Sequence, residues 1–344
     1  MHIPDAFLPL PHAVLYWAIA CVFIVLALRW SRNGMSDENV PFIAVLSAGI
    51  FAIQAFNLPV GMGTSGHLIG GALAAIVLGS PYAGIFVLTI VVILQGVIFG
   101  DGGITSMGAN IINMGVIGGF VGYYGYIGVK KISNQVYLSV GIAAWAACFI
   151  AALACALEMA LAGTFPLVPG MIAMGLYHAV IGVIEGVITA GALFLIMQAR
   201  PDILAEQINT FKTKSNTLYK KGKINEDGIM EHTVPKKSMN MNLFIITGLL
   251  FAFLIGSGAV FFASDNPDGL ESTSLFVQNA KKLFGESPED GDPEAIGTGT
   301  FEFKAPIPDY TLGRGNGVDV FVALFGILLT FIVIFGLARV FQKS

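Results

Sequence analysis

The chain has 344 residues, of which 55% are hydrophobic and only 12% charged, against averages of about 45–50% and about 25% for soluble domains. This balance excludes an ordinary soluble domain and predicts an all-α polytopic membrane protein, with lipid as its surroundings and 42 glycines to let helices approach closely. A formal net charge of −4 offers nucleic acid no basic surface.

The first stretch, MHIPDAFLPLPHA, carries chemistry before it carries structure. A free amine followed at once by histidine is a chelator: the Met1 amine, the deprotonated amide nitrogen of His2 and the His2 imidazole close two fused rings on one metal ion. Three nitrogens then fill three corners of a square, a geometry suited to Cu(II) or Ni(II). No basic n-region precedes the first apolar stretch, which predicts no cleaved signal peptide and a retained Met1. Ile3-Pro4 stiffens the segment, and Phe7, Leu8 and Leu10 give it apolar anchors.

Apolar segments of spanning length, about 20 residues each, follow at 13–30, 40–59, 67–79, 82–99, 107–128, 136–161, 170–198, 243–263 and 318–338. Helices are expected throughout, because lipid tolerates only helices and closed barrels. With the amino terminus outside, every one of the 18 basic residues except Lys281, Lys282, Lys304 and Arg314 falls on the cytoplasmic side, as the positive-inside rule requires. The carboxy terminus is then cytoplasmic too. Met1, His2, the 58–66 loop, the FGDGG turn at Asp101 and the GTFPLVPG loop share the outer face.

His67, inside GTSGHLIGGA, is the candidate for the fourth corner. Alone it reads as an interfacial histidine bonded to a carbonyl; paired with a terminal chelator on the same face it reads as a ligand. Gln54, Gln95, Asp101, Asn110, Asn113, Glu158, His178 and Glu185 are polar groups in or beside apolar segments, where they are expensive and mark functional candidates. Asn110 and Asn113 share a helix face and are expected to tether the terminal segment. His178 and Glu185, seven apart, share another face, as a second shell around His67, as transit ligands or as interhelical hydrogen bonds. Cys21, Cys148 and Cys155 lack CxxC pairing and read as small core hydrophobes.

Residues 201–241 are polar and charged, and are read as a cytoplasmic linker. They separate a seven-helix unit, 1–200, from a two-helix unit, 242–344, whose outer loop is acidic. Within that loop ESPEDGDPEAIGTGT predicts a mobile segment. No GxxxxGK[ST] occurs, so the chain has no nucleotide-hydrolysis motif of its own; HExxH and the HxxxxDH of secondary nickel/cobalt permeases are also missing. The pattern points to a capture subunit, not an enzyme, that relies on others for energy.

MHIPDAFLP, GMGTSGHLIGG, FGDGGITSMGANIINMG and GLYHAVIGVIEGVITA together resemble the CbiM/NikM proteins, substrate-capture components of energy-coupling-factor transporters for cobalt and nickel. Pro267 to Glu271 resembles the PDGLE signature of the small N component. The resemblance implies a natural fusion of M and N components in a bacterial or archaeal cell membrane. It implies Ni(II) or Co(II) as transported substrate, bound by Met1, His2 and His67, and as partners a transmembrane coupling subunit and cytoplasmic ATPase subunits. Ala6 departs from the family's MHIPDGFL and puts the turn there under restriction. The alternatives are a secondary Ni/Co permease acting without ATPase subunits, with Glu158, His178 and Glu185 along its path, and a structural membrane protein.

Overall fold

A computed structural model describes residues 1–35, 39–201, 239–288, 290–299 and 301–341. Nearly all of the 201–241 linker therefore lies outside the described residues. The first helices in chain order are α1 (Leu10–Gly34) and α2 (Asn39–Gln54), followed by a hairpin of β1 (Leu58–Gly61) and β2 (Thr64–Gly66). Then come α3 (Gly71–Val77), α4 (Pro81–Leu94) with a π segment Gln95–Phe99, and α5 (Met107–Asn110), which runs through a second π segment, Ile111–Ile117, into α6 (Gly118–Ser133). Two long helices, α7 (Val136–Leu161) and α8 (Leu167–Ala199), precede the linker. After it stand α9 (Met241–Phe262), the short α10 (Gly269–Val277) and α11 (Asn316–Phe341).

Among the described residues six helices are long and apolar enough to cross a membrane: α1, α4 with its π segment, α7, α8, α9 and α11. The second expected span ends at Gln54 instead of residue 59, and the third begins at Gly71 instead of residue 67. The reason is the same for both. Residues 58–70 are diverted into a hairpin and an unwound stretch that carry His67, and a left-handed Gly70 (φ 77°) starts α3.

Local chemistry sets the helix starts. Pro166 stands just before α8, Ser80 caps α4 by accepting from the Tyr82 N–H, and Asn240 caps α9 by accepting from the Asn242 N–H, each supplying a partner or a fixed φ where the first turn has none. Along α7 the contacts are made by small residues: Ala143, Ala144, Ala147 and Ala151 are all buried where it runs along α8 and α6. Large apolar side chains such as Val22, Val187, Leu254 and Ile332 point outward. That inversion is what a lipid solvent selects, since burying apolar bulk between helices gains nothing there. Cys148 and Cys155 are buried, while Cys21 sits on the exposed face of α1 instead of in the core. The two long helices after the linker pack on α2 and on each other, and α10 packs on α8.

The acid-rich stretch expected to be mobile makes specific contacts instead. Pro293–Ile296 forms a 3₁₀ turn, the Ser274 hydroxyl donates to the Pro293 carbonyl, and the Thr298 and Gly299 N–H groups donate to the Ala6 carbonyl. Glu286, Asp290, Asp292 and Glu294 are exposed, while the backbone at Thr298 and Gly299 packs on the terminal segment.

Candidate metal centre

The terminal segment is drawn into the protein, with Ile3 fully buried and Met1 3% exposed. Ile3 donates its N–H to Asn110 Oδ1 (2.8 Å), and its carbonyl accepts from Asn110 Nδ2 (3.1 Å) and from the Gly103 N–H (2.9 Å). Asp5 Oδ1 accepts from the Thr105 N–H (2.9 Å) and hydroxyl (2.6 Å), and the Ser106 hydroxyl donates to the Pro4 carbonyl (2.8 Å). A side chain at Gly103 would begin 2.2 Å from the Asp5 nitrogen, so only glycine lets the chain lie this close. The turn after Asp101 is thus a cradle for residues 1–5.

At the end of this cradle the Met1 nitrogen lies 3.0 Å from His67 Nε2 and pairs with the Asp268 carboxylate. The His2 and His67 rings stack, centroids 5.0 Å apart and 11° from parallel. His2 Nδ1 is 2.6 Å from Asp101 Oδ1, and Asp101 Oδ2 accepts from the Tyr310 hydroxyl (2.6 Å). His2 Nε2 is buried with no hydrogen-bond partner among the described residues, which leaves a nitrogen lone pair or N–H available. His67 Nδ1 faces the Leu68 carbonyl at 3.1 Å. Among the described residues no group of three or more His, Cys, Asp or Glu side chains is placed to hold a metal ion; what the site offers is a mixed set that includes the chain's own terminal nitrogen.

The other predicted residues take different parts. Glu185 accepts from the Ile69 and Gly70 N–H groups (2.7 and 3.1 Å), and Gln54 donates to the Ile69 carbonyl (2.6 Å), so both grip the unwound backbone that follows His67. His178 Nδ1 lies 2.9 Å from the Met174 carbonyl, and its ring helps line a cavity of about 10 Å³ with Met1, His67, Cys148 and Asp268, room for one water-sized occupant. Asn110 tethers the terminal segment, but Asn113 does not. The Asn113 amide donates to Glu158 Oε2 (2.7 Å) on α7, because the π segment that begins just after Asn110 rotates the two asparagines onto different faces.

Residues 2–203 match the family described as the cobalt uptake substrate-specific transmembrane region, CbiM, and residues 242–343 match the PDGLE domain. The chain belongs to the CbiM/NikM family. It carries a fused N component. A metal transport protein of Haloquadratum walsbyi is 41% identical over 60% of this chain and 94% of its own length. The fused nickel transport protein NikMN of Archaeoglobus fulgidus is 36% identical over 60% of this chain and 69% of its own. A crystal structure of a truncated transition metal transporter superposes with a TM-score of 0.54 at 32% identity, over 58% of this chain and 99% of that one. This is a multi-pass membrane protein of a nickel/cobalt transport family.

Within the PDGLE domain the signature explains itself residue by residue. Asp268 Oδ1 caps α10 by accepting from the Leu270 and Glu271 N–H groups (2.7 and 2.9 Å), and Glu271 returns the bond to the Asp268 N–H (2.7 Å), a complete capping box. The Pro267 carbonyl accepts from the Ser65 N–H (2.9 Å), Leu270 is buried, and a side chain at Gly269 would begin 2.5 Å from His178 Cε1. Asp268 Oδ2 is left over for the Met1 ammonium. Neither Asp268 nor the pairing of Asp101 with His2 is assigned from sequence. The P-D-G-L-E spacing does announce the cap, but not what the second oxygen meets.

Charge in the site is strongly organised. Burial opposes ionisation of Asp268, yet the terminal ammonium and His67 beside it hold its carboxyl well below the usual carboxylate range. Burial likewise works against the ammonium, and the Asp268 and Asp101 charges outweigh it, raising the amine above its ordinary 8.0. His67 is pushed down, first by burial and then by the neighbouring ammonium. The resting arrangement is therefore an ammonium donating to a neutral imidazole and an ionised carboxylate.

Proposed function

We propose that the chain is the substrate-specificity subunit of an ATP-driven energy-coupling-factor importer, capturing Ni(II) or Co(II) as substrate at the outer face. The observation that carries this reading is the 3.0 Å approach of the Met1 nitrogen to His67 Nε2, across 66 residues of sequence, with the His2 ring stacked on the same imidazole. The Met1 amine, His2 amide, His2 imidazole and His67 imidazole supply a square of nitrogens, which favours Ni(II). His178, Asn110 and Glu185 act behind the ligands, positioning the backbone and ring that carry them; Asn113 acts only through Glu158. The ion replaces protons: the amine and the His2 amide must both lose one, and the His2 ring must turn from Asp101.

The orientation follows the basic residues, with the amino terminus outside and the linker 201–241 and carboxy terminus cytoplasmic. Energy comes from a transmembrane coupling subunit with cytoplasmic ATPase subunits. One added alanine before Met1 moves the amine out of reach and leaves every side chain in place. Nickel titration of that variant, followed by the d–d band of a square-planar complex, is expected to show no tight binding; unchanged affinity refutes the amine as ligand. His67→Ala is expected to lose both binding and uptake, and nickel uptake that persists in cells lacking the ATPase subunits overturns the importer assignment.

A further inference from the structure

The hairpin that delivers His67 is held along its length by the PDGLE domain. The Ser65 N–H and hydroxyl donate to the Pro267 and Asn266 carbonyls (2.9 and 2.7 Å), the Ser264 N–H donates to the Asn57 carbonyl (2.8 Å), and the Thr64 and Ser272 hydroxyls lie 2.8 Å apart. At its tip Gly63 (φ 61°) leaves no room for a side chain, since a Cβ there would lie 2.8 Å from Glu286 Cα and from the Gly285 carbonyl oxygen.

Lys281 fills this seam. It is only 5% exposed, and its ammonium donates to the Gly63 carbonyl, Thr64 Oγ1 (3.2 Å), Ser272 Oγ (3.3 Å) and Ser287 Oγ (3.0 Å), 5.7 Å from the Tyr177 ring centroid. Among the described residues no carboxylate is in direct contact with it, and the Glu286 charge reaches it only through space. Lysine is almost never this buried without a directly paired counter-charge, and an ammonium whose hydrogen bonds all go to neutral acceptors is an expensive way to fill space. Its partners lie on both sides of the seam, two on the hairpin and two on the PDGLE domain. The same seam closes the small cavity beside Met1, whose lining includes Gly66, Asp268 and Gly269.

We propose that Lys281 is a positioning residue: its ammonium latches the 58–66 hairpin to the PDGLE domain, fixes His67, and so sets how fast the metal enters and leaves the outer site. The proposal rests on His67 being a ligand, as argued above. The PDGLE domain thereby acts on exchange kinetics without contributing a ligand of its own.

The test uses the full purified chain and two variants that attack the seam from opposite sides, Lys281→Met, which keeps the aliphatic stem, and Gly63→Ala, which wedges the tip away from Gly285 and Glu286. Two quantities are read: backbone hydrogen exchange of residues 58–70 without metal, and release of preloaded nickel to an excess of EDTA. Loss of hydrogen bonds from a buried charge is expected to speed both by on the order of tenfold or more, with exchange in α7 unchanged. Wild-type exchange at 58–70 in Lys281→Met, or faster exchange with wild-type nickel release, overturns the latch. If the wild-type chain takes up no nickel, the capture reading has failed, and the metal-free exchange measurement still decides whether Lys281 holds the hairpin. Should Lys281→Met not fold, Thr64→Val removes one acceptor isosterically and is read in the same way.

Discussion

The carboxylate of Asp268 serves two partners at once, capping α10 with one oxygen and holding the Met1 ammonium with the other. Its effect on pH behaviour follows from the signs. The amine is raised above 8.0, so its pairing stabilises the metal-free protein fully below pH 8.0 and loses that contribution as pH rises through the folded value. Asp268 is depressed from 3.8, so its contribution is present above pH 3.8 and fades as pH falls toward the folded value. On the proposed ligand set nickel displaces the proton on a raised amine while His67 is already neutral, so nickel affinity is expected to climb with pH through neutrality and beyond. Asp268→Asn removes the larger of the two charges that raise the amine and leaves Asp101 alone against burial, which shifts the affinity–pH curve to lower pH; titrations at several pH values that superpose on wild type would contradict this.

Met1, His2 and His67 themselves lie outside helices, in the segment before α1 and the unwound stretch before α3, and helix-borne side chains hold those segments in place. Asn110 holds both backbone groups of Ile3. Asn110→Ala should therefore lose two buried hydrogen bonds, about 1–3 kcal/mol, and weaken nickel binding by roughly tenfold or more in the same titration. Ala6 stands at φ 69°, a conformation that costs an L-residue about 1–2 kcal/mol, so the sequence departure at this position is a real strain. Part of that is returned through the greater freedom of glycine in the unfolded chain. Ala6→Gly is expected to raise the melting temperature modestly and leave nickel affinity unchanged, since the Ala6 carbonyl keeps its bonds to Thr298 and Gly299. A fall in melting temperature would mean that the methyl packing outweighs the strain.

At the scale of the whole molecule the site is built across the fusion: Met1, His2 and His67 come from the CbiM part, Asp268 and the Lys281 seam from the PDGLE part. A ligand bound there stabilises both parts together. At a nickel concentration a hundred times the dissociation constant the folded state gains about 2.7 kcal/mol, and the unfolding transitions of the two parts should rise in concert and return on addition of chelator. A shift confined to one part, followed by a probe in each, would place the ion elsewhere.

Composition and hydropathy alone determined that this is a helical membrane protein, because uninterrupted apolar segments about 20 residues long cross lipid as helices that satisfy their polar backbone internally, and no alternating strand pattern offers a barrel. Two intervening helices also predict that His2 and His67 return to one face, and Asn110 was legible as a tether because its spacing from the FGDGG turn is local. Tertiary structure alone decided the rest. Asn113 turns to Glu158 because a π segment alters the helical phase, a change that residue spacing does not encode. The hairpin replaces helix where β1 pairs with β2 and where the Ser65 N–H and the Asn57 carbonyl find their partners at Pro267 and Ser264, far along the chain. Asp268 meets Met1 across 267 residues, and only the closing of the second unit onto the first brings a helix cap and a terminal amine to the same point.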